Sequence, residues 1–366
     1  MIPVKDEEAH ILKTLTSFAH QVDLFGAPLN PDQFEILILA NNCSDNSVSS
    51  IHSFKRKHPT LNIHVEEITL PAEKANIGYA RRLLMDTAYN RLFAGGGGIM
   101  MTTDGDTRVA PDWIAQTEAE IAAGADAVGG RILLCPDEMS DLDSATYSHH
   151  FKDETYQLLI AELESKIIRN PHNPAPTHHQ HFNGGFAVTT KCYSLAGGIP
   201  HVAYLEDCAF FERLQRIDAK VRHSNKVVVH TSARYLGRTE VGLSYQLNEW
   251  KNLATGGADS LVESGTSIVE RLVIKRKLMD LWKTRKDLNL YEAVSQISSD
   301  IKIDNAACES FNNSPFFGTW YAQMIKPQEG NWRKKHPLVS IDNAILELQV
   351  AIATYSVPDF SQTSIR

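Results

Sequence analysis

The sequence predicts an α/β fold in which a mostly parallel central sheet is followed by a mainly helical carboxyl-terminal region. Two observations carry this prediction. Short, continuously apolar runs alternate with stretches of helical periodicity through the first two-thirds of the chain, as in a sheet with helices on both faces. From about residue 240, strand signals fade and helical patterns take over. We therefore predict an α/β domain over residues 1–240 and a helical accessory region over residues 241–366.

The individual elements follow from the spacing of apolar side chains. Residues 34–39 (FEILIL) and residues 99–103 (IMMTT) each predict a buried strand, and alternation over residues 61–65 predicts another. Helices are predicted by apolar side chains at intervals near 3.6 residues, at Ile11, Leu15, Phe18, Val22, Val48, Ile51, Ile77, Ala80, Leu84, Ala88 and Leu92. Polar loops at residues 41–46 and 104–107 follow two of the strands. We therefore expect a ligand site at the carboxyl ends of the strands.

The composition excludes several classes of protein. The 366 residues carry a net charge of −8, whereas general nucleic-acid binders usually carry a basic excess, so we expect no nucleic-acid partner. No run of about 18 apolar residues appears, and the amino terminus lacks the apolar core of a secretory signal. The five cysteines are scattered without a paired spacing, which indicates reduced thiols. These features predict a cytoplasmic protein.

The segment Asp104-Gly105-Asp106 directly follows the predicted strand at residues 99–103. Two carboxylates on a tight turn can present oxygen atoms to one hard cation, Mg²⁺ or Mn²⁺, and glycine permits the turn. The alternative is a solvated turn without a ligand. Its place at the end of an apolar strand in an α/β chain favours the metal site.

Three further segments carry candidate functional residues. Glu206-Asp207 opens an amphipathic stretch, where a carboxylate could accept a proton from an acceptor hydroxyl; the alternative is an acidic first turn that complements the helix dipole. Arg81, at the start of a predicted helix, could contact a diphosphate or could be a surface cation. Gly184, in the segment FNGGF, would let the backbone approach a bound sugar or could mark a plain turn.

Taken in chain order, these segments resemble the motifs of the family 2 glycosyltransferases, which have the nucleotide-sugar-binding fold named GT-A. The resemblance is carried by residues 2–8 (IPVKDEE), 38–45 (ILANNCSD), 75–82 (ANIGYARR), 103–107 (TDGDT), 182–187 (FNGGFA) and 197–207 (GGIPHVAYLED). Each motif alone has little specificity, but six in the same order are hard to obtain by chance. The resemblance implies a nucleotide diphosphate sugar as donor and transfer with inversion.

The resemblance also implies roles for single residues. Asp104 and Asp106 match the metal motif of the family, with Asp106 as the direct ligand, and Asp207 matches the general base, with Glu206 beside it as a rival. In some related enzymes a histidine at the position of His230 binds the metal, although a strand-end histidine can also be structural. The residues implied at the nucleotide are Pro3, Val4, Asp6, Glu7, Arg81 and Asp104.

The sequence departs from the family pattern at two places. Where family members often carry an acidic pair at the end of the second strand, this chain has Asn41 and Asn42, and the amide can both donate and accept. The nucleobase, uracil in UDP or guanine in GDP, therefore stays open. Met1 falls where the first strand should already have begun, so we expect either a shortened strand or a late start.

The reaction that these residues predict is transfer of a sugar to a hydroxyl acceptor of unknown identity, with Mn²⁺ or Mg²⁺ as cofactor. A nucleotidyltransferase that forms sugar nucleotides is one alternative, but it should carry a glycine-rich basic loop after the first strand, where residues 5–8 are acidic. A non-catalytic nucleotide-sugar-binding protein is another. The basic segment at residues 267–286 could lie on an anionic membrane, although a helix packed on the protein with a solvated charged face is favoured.

Overall fold

A computed structural model describes residues 1–235, 237, 241–285 and 288–356. The strands are β1 (Ile2–Val4), β2 (Ile36–Asn41), β3 (Ile63–Ile68), β4 (Ile99–Thr103), β5 (Thr107–Val109), β6 (Ala127–Leu134), β7 (Gly185–Thr189), β8 (Val221–Thr231), β9 (Leu261–Val262) and β10 (Val339–Ser340). The helices are α1 (Ile11–Ala19), α2 (Ser47–Lys57), α3 (Ile77–Ala94), α4 (Trp113–Ala122), α5 (Pro136–Met139), α6 (Ser144–Ile168), α7 (Thr190–Leu195), α8 (Glu206–Arg216), α9 (Leu243–Gly256), α10 (Gly265–Lys283), α11 (Leu290–Ile297), α12 (Asn305–Asn313), α13 (Phe317–Ile325), α14 (Glu329–Lys335) and α15 (Ile341–Ser356).

The first three strands form a parallel sheet in the order β1-β2-β3. All six residues of β2 are buried, which explains why this strand reads as an uninterrupted apolar run. Beyond β1, the backbone N–H of Thr103 in β4 donates to the carbonyl oxygen of Met1 at 3.1 Å. The segments that follow β1, β2 and β4 carry three of the motifs singled out in the sequence.

The other five strands of the α/β part form a mixed sheet in the order β4-β7-β6-β8-β5. Strand β6 pairs with β8 in parallel, whereas β7 is antiparallel to both of its neighbours and β5 is antiparallel to β8. The α/β class and the parallel-rich sheet predicted from the sequence are confirmed. The antiparallel strands β5 and β7 have no separate signal in the apolar pattern, because β5 has three residues and β7 is a short segment between a glycine pair and a helix.

The chain divides into two compact units. The first comprises residues 1–143, 180–214 and 219–249, and the second comprises residues 144–179, 215–218 and the described residues from Trp250 onward. Helix α6 thus belongs to the second unit although it precedes β7 and β8 in the chain. The division into residues 1–240 and 241–366 stays a prediction, and residues 238–240 at its boundary lie outside the described part of the chain.

The second unit is mainly helical, as the sequence predicts for this region. Helices α6, α10 and α15 share an apolar core, and a second core forms around Trp282, Phe311 and Trp320. Trp282 stacks on Trp320 with ring centroids 5.3 Å apart. These two tryptophans therefore serve packing.

The basic segment forms most of α10 and pairs with acidic side chains of its own unit. Arg271 contacts Glu263 at 3.1 Å, and Lys275 contacts Glu164 at 2.9 Å. Lys286, at the end of the segment, lies outside the described residues. Among the described helices, none combines the length and the apolar character needed to cross a bilayer. None of the five cysteines, all of which are described, forms a disulfide.

A close backbone contact within the first unit makes glycine necessary at residue 78. A Cβ at Gly78 would lie 1.8 Å from the carbonyl oxygen of Val202, and the N–H of Gly78 donates to the carbonyl oxygen of Ala203 at 3.1 Å. The segment just before the Glu206-Asp207 pair is thereby held against the first turn of α3.

We predict that Gly78→Ala destabilises the protein by about 1–3 kcal/mol, since the backbone must move to relieve the overlap. Gly330→Ala is the matched control, because Gly330 is likewise the second residue of its helix and a Cβ there meets nothing within 4 Å. The control should be neutral or slightly stabilising. Thermal unfolding of both variants tests this, and equal melting temperatures would contradict it.

Candidate active site

The two predicted metal ligands lie on one tight turn between β4 and β5. Asp104 follows the last residue of β4, and Asp106 precedes the first residue of β5. The glycine between them lies against the end of β1, because a Cβ on Gly105 would stand 3.1 Å from Cγ of Glu7 and 3.4 Å from the carbonyl oxygen of Pro3. A side chain at position 105 would be tight against Glu7, so glycine lets the turn lie this close to β1.

A buried arginine ties this turn to the second acidic motif. The side chain of Arg81 in α3 is 2% exposed. Its guanidinium donates to the carbonyl oxygen of Thr103 at 3.0 Å, to the hydroxyl of Thr102 and to Oδ1 of Asp104. Nε of the same group lies 3.7 Å from Oε1 of Glu206. One side chain thus contacts acids from segments more than 100 residues apart, at positions 104 and 206.

The two neighbouring acids at the start of α8 have different environments. Glu206 is buried, and its Oε1 accepts a hydrogen bond from Nδ2 of Asn183 at 3.2 Å. Burial raises the pKa of Glu206, and the charge of Arg81 opposes that shift. Asp207 is half-buried, and its Oδ1 accepts from the backbone N–H of Cys208 at 2.8 Å. Of the two carboxylates, that of Asp207 is the more accessible.

A second arginine lies at the other acid of the turn. Nη1 and Nη2 of Arg234 donate to the two carboxylate oxygens of Glu7, each at 2.7 Å, and Nη2 lies 2.9 Å from Oδ2 of Asp106. Burial raises the pKa of Asp106 to about 7, opposed by the charge of Arg234 and reinforced by the charges of Asp104 and Glu7. Mutually repelling carboxylates are what a divalent cation stabilises, so the acids of the turn fit a Mn²⁺ or Mg²⁺ site.

The residues predicted to line the nucleoside pocket lie at the ends of β1 and β2. Pro3 and Val4 are buried in β1, and Asp6 follows it with φ +53°. Oδ1 of Asp6 accepts from the backbone N–H groups of Ser44, at 2.6 Å, and Asp45, at 3.2 Å. The carboxylate of Asp6 therefore connects the loop after β1 with the loop after β2.

The two asparagines that replace the acidic pair of the family have structural environments. Asn41 is the last residue of β2 and is buried. Asn42 has φ +53°, and its side-chain amide donates to the carbonyl oxygen of Leu70 at 2.9 Å while Oδ1 accepts from the N–H of Leu70 at 3.1 Å. A nucleobase contact through Asn42 would compete with these two bonds. Its predicted role at the base stays a prediction.

The glycine predicted near the sugar lies against the metal-site turn. A Cβ on Gly184 would stand 2.9 Å from Oδ2 of Asp104, and the carbonyl oxygen of Gly184 accepts from the hydroxyl of Thr103 at 2.8 Å. Because an alanine would meet the Asp104 carboxylate, glycine leaves that carboxylate its space. The predicted role of Gly184 at the sugar stays a prediction.

The contacts of His230 do not connect it with the turn at residues 104–106. His230 is paired across the sheet with Arg108, and burial, together with the charge of Arg108, lowers the pKa of His230. Within the described part of the chain, three candidate ligands converge only at Cys135, Asp137 and Glu138. There Arg108 already pairs with both acids, at 2.9 and 3.3 Å. Metal binding by His230 stays a prediction.

Sequence reasoning missed two residues of the site. Arg234 follows the end of β8 by three residues. A cation just beyond the end of a strand is a signal for a residue of the ligand site. Asn183 lies inside the FNGGF segment, but only the glycine was singled out there. Nothing in the local sequence of either residue shows which acid it contacts, since the partners lie 227 and 23 residues away.

A comparison with known families identifies the chemistry. Residues 1–180 match the family model described as Glycosyl transferase family 2. The chain belongs to this family by its amino-terminal half. It is a glycosyltransferase, as its motifs predict. Among curated protein sequences, none matches this chain significantly.

Solved structures with similar backbones include glycosyltransferases. A mannosyltransferase from Pyrobaculum calidifontis, in complex with GDP-Man and Mn²⁺, is 13% identical with a TM-score of 0.45, and the alignment covers 96% of this glycosyltransferase and 84% of that chain. GalNAc-T7, solved with UDP, GalNAc and Mn²⁺, is 12% identical with a TM-score of 0.41, and the alignment covers 98% of this chain and 57% of that one.

We predict that Arg81→Met lowers the free energy of unfolding by about 3 kcal/mol, because it leaves a buried carboxylate without its counter-charge. Arg91→Met is the control on the same helix, since Arg91 pairs with Glu35 in an exposed position and should cost less than about 1 kcal/mol. Urea unfolding measures both. Adding Glu206→Gln to Arg81→Met should recover part of the loss; equal costs for the two single variants would contradict the interpretation.

Proposed function

We propose that this glycosyltransferase moves a sugar from a nucleotide diphosphate sugar to an acceptor hydroxyl, with inversion and with a divalent cation as cofactor. The observation that carries the proposal is the contact of Arg81 with both Asp104 and Glu206, which brings the candidate metal motif and the candidate base motif into one cluster. Family membership favours sugar transfer over nucleotidyl transfer and over simple binding. The reduced cysteines support a cytoplasmic location.

The acids of the turn would hold the metal. Asp104 and Asp106 offer carboxylate oxygens, the ligands that Mn²⁺ and Mg²⁺ prefer. When bound, the cation supplies positive charge to the diphosphate that leaves. Arg81 acts on the protein side: by holding Oδ1 of Asp104 it fixes the orientation of that carboxylate. It was predicted at the nucleotide, and its burial supports a positioning role instead.

Asp207 is the proposed base. The acceptor oxygen forms a bond to the anomeric carbon, the bond from that carbon to the diphosphate oxygen breaks with its electron pair, and the hydroxyl proton passes to Asp207. Glu206 is the poorer candidate because it is 5% exposed and engaged by Asn183 and Arg81. We assign Glu206 to positioning and Asp207 to proton transfer.

For the donor, we propose that the loops after β1 and β2 bind the nucleoside. Pro3 and Val4 would line the pocket, and Asp6 would shape the loop through its bonds to Ser44 and Asp45. The close approach of Gly184 to Asp104 would leave room for the sugar beside the turn. The amide of Asn41 can both donate and accept, so either UDP or GDP fits there, whereas the amide of Asn42 already bonds the backbone of Leu70.

We predict that Asp207→Asn lowers the rate of transfer at least about a hundredfold, or roughly 3 kcal/mol of barrier, with donor binding unchanged. Glu212→Gln is the matched control, an exposed acid on the same helix, and should keep the wild-type rate. Glu206→Gln should cost less than Asp207→Asn. Turnover of UDP- and GDP-sugars with Mn²⁺, and the anomeric configuration of the product, are measured. A retained configuration or a near wild-type rate for Asp207→Asn would refute the mechanism.

We predict that nucleotide diphosphate binds weakly without a divalent cation. Calorimetry with UDP and GDP in Mn²⁺ and in EDTA measures the difference. Asp106→Ala should abolish the part of the affinity that depends on the metal, whereas Asp104→Ala should weaken it. Equal affinity in EDTA would remove the metal from the mechanism.

A further inference from the structure

Arg234 lies where a cation shared by two carboxylates would lie. Its Nη2 is 2.7 Å from Oε1 of Glu7 and at the same time 2.9 Å from Oδ2 of Asp106. Its Nη1 contacts the other oxygen of Glu7 at 2.7 Å. The side chain of Asp106 is 14% exposed and that of Glu7 is 8% exposed, so solvent screens these contacts little.

The arginine and a metal ion would use the same oxygen. A divalent cation coordinated by Oδ2 of Asp106 would share that atom with a guanidinium nitrogen, and the two positive charges would repel at contact distance. Arg234 keeps both bonds to Glu7 without Asp106, so the contact that gives way is the one to Asp106. The direct partner of Asp104 is Arg81, and Arg234 acts on Asp104 through its charge at longer range.

We propose that Arg234 is an internal counter-ion of Asp106 that competes with the divalent cation and keeps the metal affinity low until the nucleotide diphosphate is present. The proposal rests on the proposed function, in which Asp104 and Asp106 hold the metal. The diphosphate adds negative charge that both cations share, which relieves their repulsion. Metal and nucleotide therefore bind with positive coupling, and the coupling depends on the charge at residue 234.

The test measures the affinity of the full chain for Mn²⁺ without nucleotide. Calorimetry or the electron paramagnetic resonance signal of free Mn²⁺ detects the binding. Arg234→Gln removes the charge and should raise the Mn²⁺ affinity about tenfold, within the range usual for coupled sites. The ratio of Mn²⁺ affinities with and without UDP or GDP should shrink by the same factor. Arg234→Lys keeps a charge and should bind Mn²⁺ nearly as weakly as the wild type.

Arg91→Gln is the matched control. Arg91 donates two hydrogen bonds to the carboxylate of Glu35, and the variant changes the net charge equally, yet Arg91 lies in the last turn of α3, about 15 Å along the helix from Arg81. Its Mn²⁺ affinity should stay within about twofold of the wild type in 0.15 M salt, where distant charges are screened. In Arg234→Gln, Mn²⁺ should also raise the melting temperature more than in the wild type.

Each outcome is decisive. A higher affinity in Arg234→Gln but not in Arg91→Gln supports the proposal. Equal or lower affinity in Arg234→Gln overturns it while the metal site stands, because Mn²⁺ still binds. Binding in none of the proteins, even with UDP or GDP, removes the metal from the proposed function and overturns the competition with it.

Discussion

The buried guanidinium of Arg81 is the interaction on which the rest of the site depends. It satisfies the carbonyl oxygen of Thr103 at the end of β4, orients Asp104 and supplies the counter-charge nearest to Glu206. A cation that is 2% exposed is tolerated in a protein interior only when acids and carbonyl groups surround it. The geometry of the turn after β4 and that of the start of α8 are therefore set by one requirement, the compensation of a single buried charge.

Charge compensation also describes the whole site, in which two arginines contact four acids. Arg81 lies between Asp104 and Glu206, and Arg234 lies between Glu7 and Asp106. Without ligands, each arginine balances acids that would otherwise repel. In the proposed function, nucleotide diphosphate and metal would change that balance, since they bring both signs of charge. A site built in this way would bind its ligands by exchanging ion pairs, so its affinity for one ligand would depend on the others.

The sequence predicts the parts of this arrangement that are local. Within the run FEILIL, the residues from Ile36 to Leu39 are buried in β2, and the Asp-Gly-Asp turn directly follows the apolar strand β4. What it could not predict is pairing over long distance. Arg234 and Glu7 are 227 residues apart, and Arg81 is predicted at the nucleotide or on the surface, although the fold places it beside Glu206. The antiparallel pairing of β7 could not be predicted for the same reason. The order of strands in a sheet depends on which distant strands pair, and periodicity along one segment does not show this.

Adjacent residues at the start of a helix can have different environments. Leu205, with φ +54°, turns the chain into α8, so the side chains of Glu206 and Asp207 leave the first turn in different directions. Glu206 is buried and pairs with Arg81. Asp207 is therefore not needed to compensate that buried charge. A base must be ionised and reachable, and a buried carboxylate bound by an amide and a guanidinium is not reachable. On the proposed assignment the motif needs both acids, because Glu206 would compensate the buried charge of Arg81 and leave Asp207 to accept the proton.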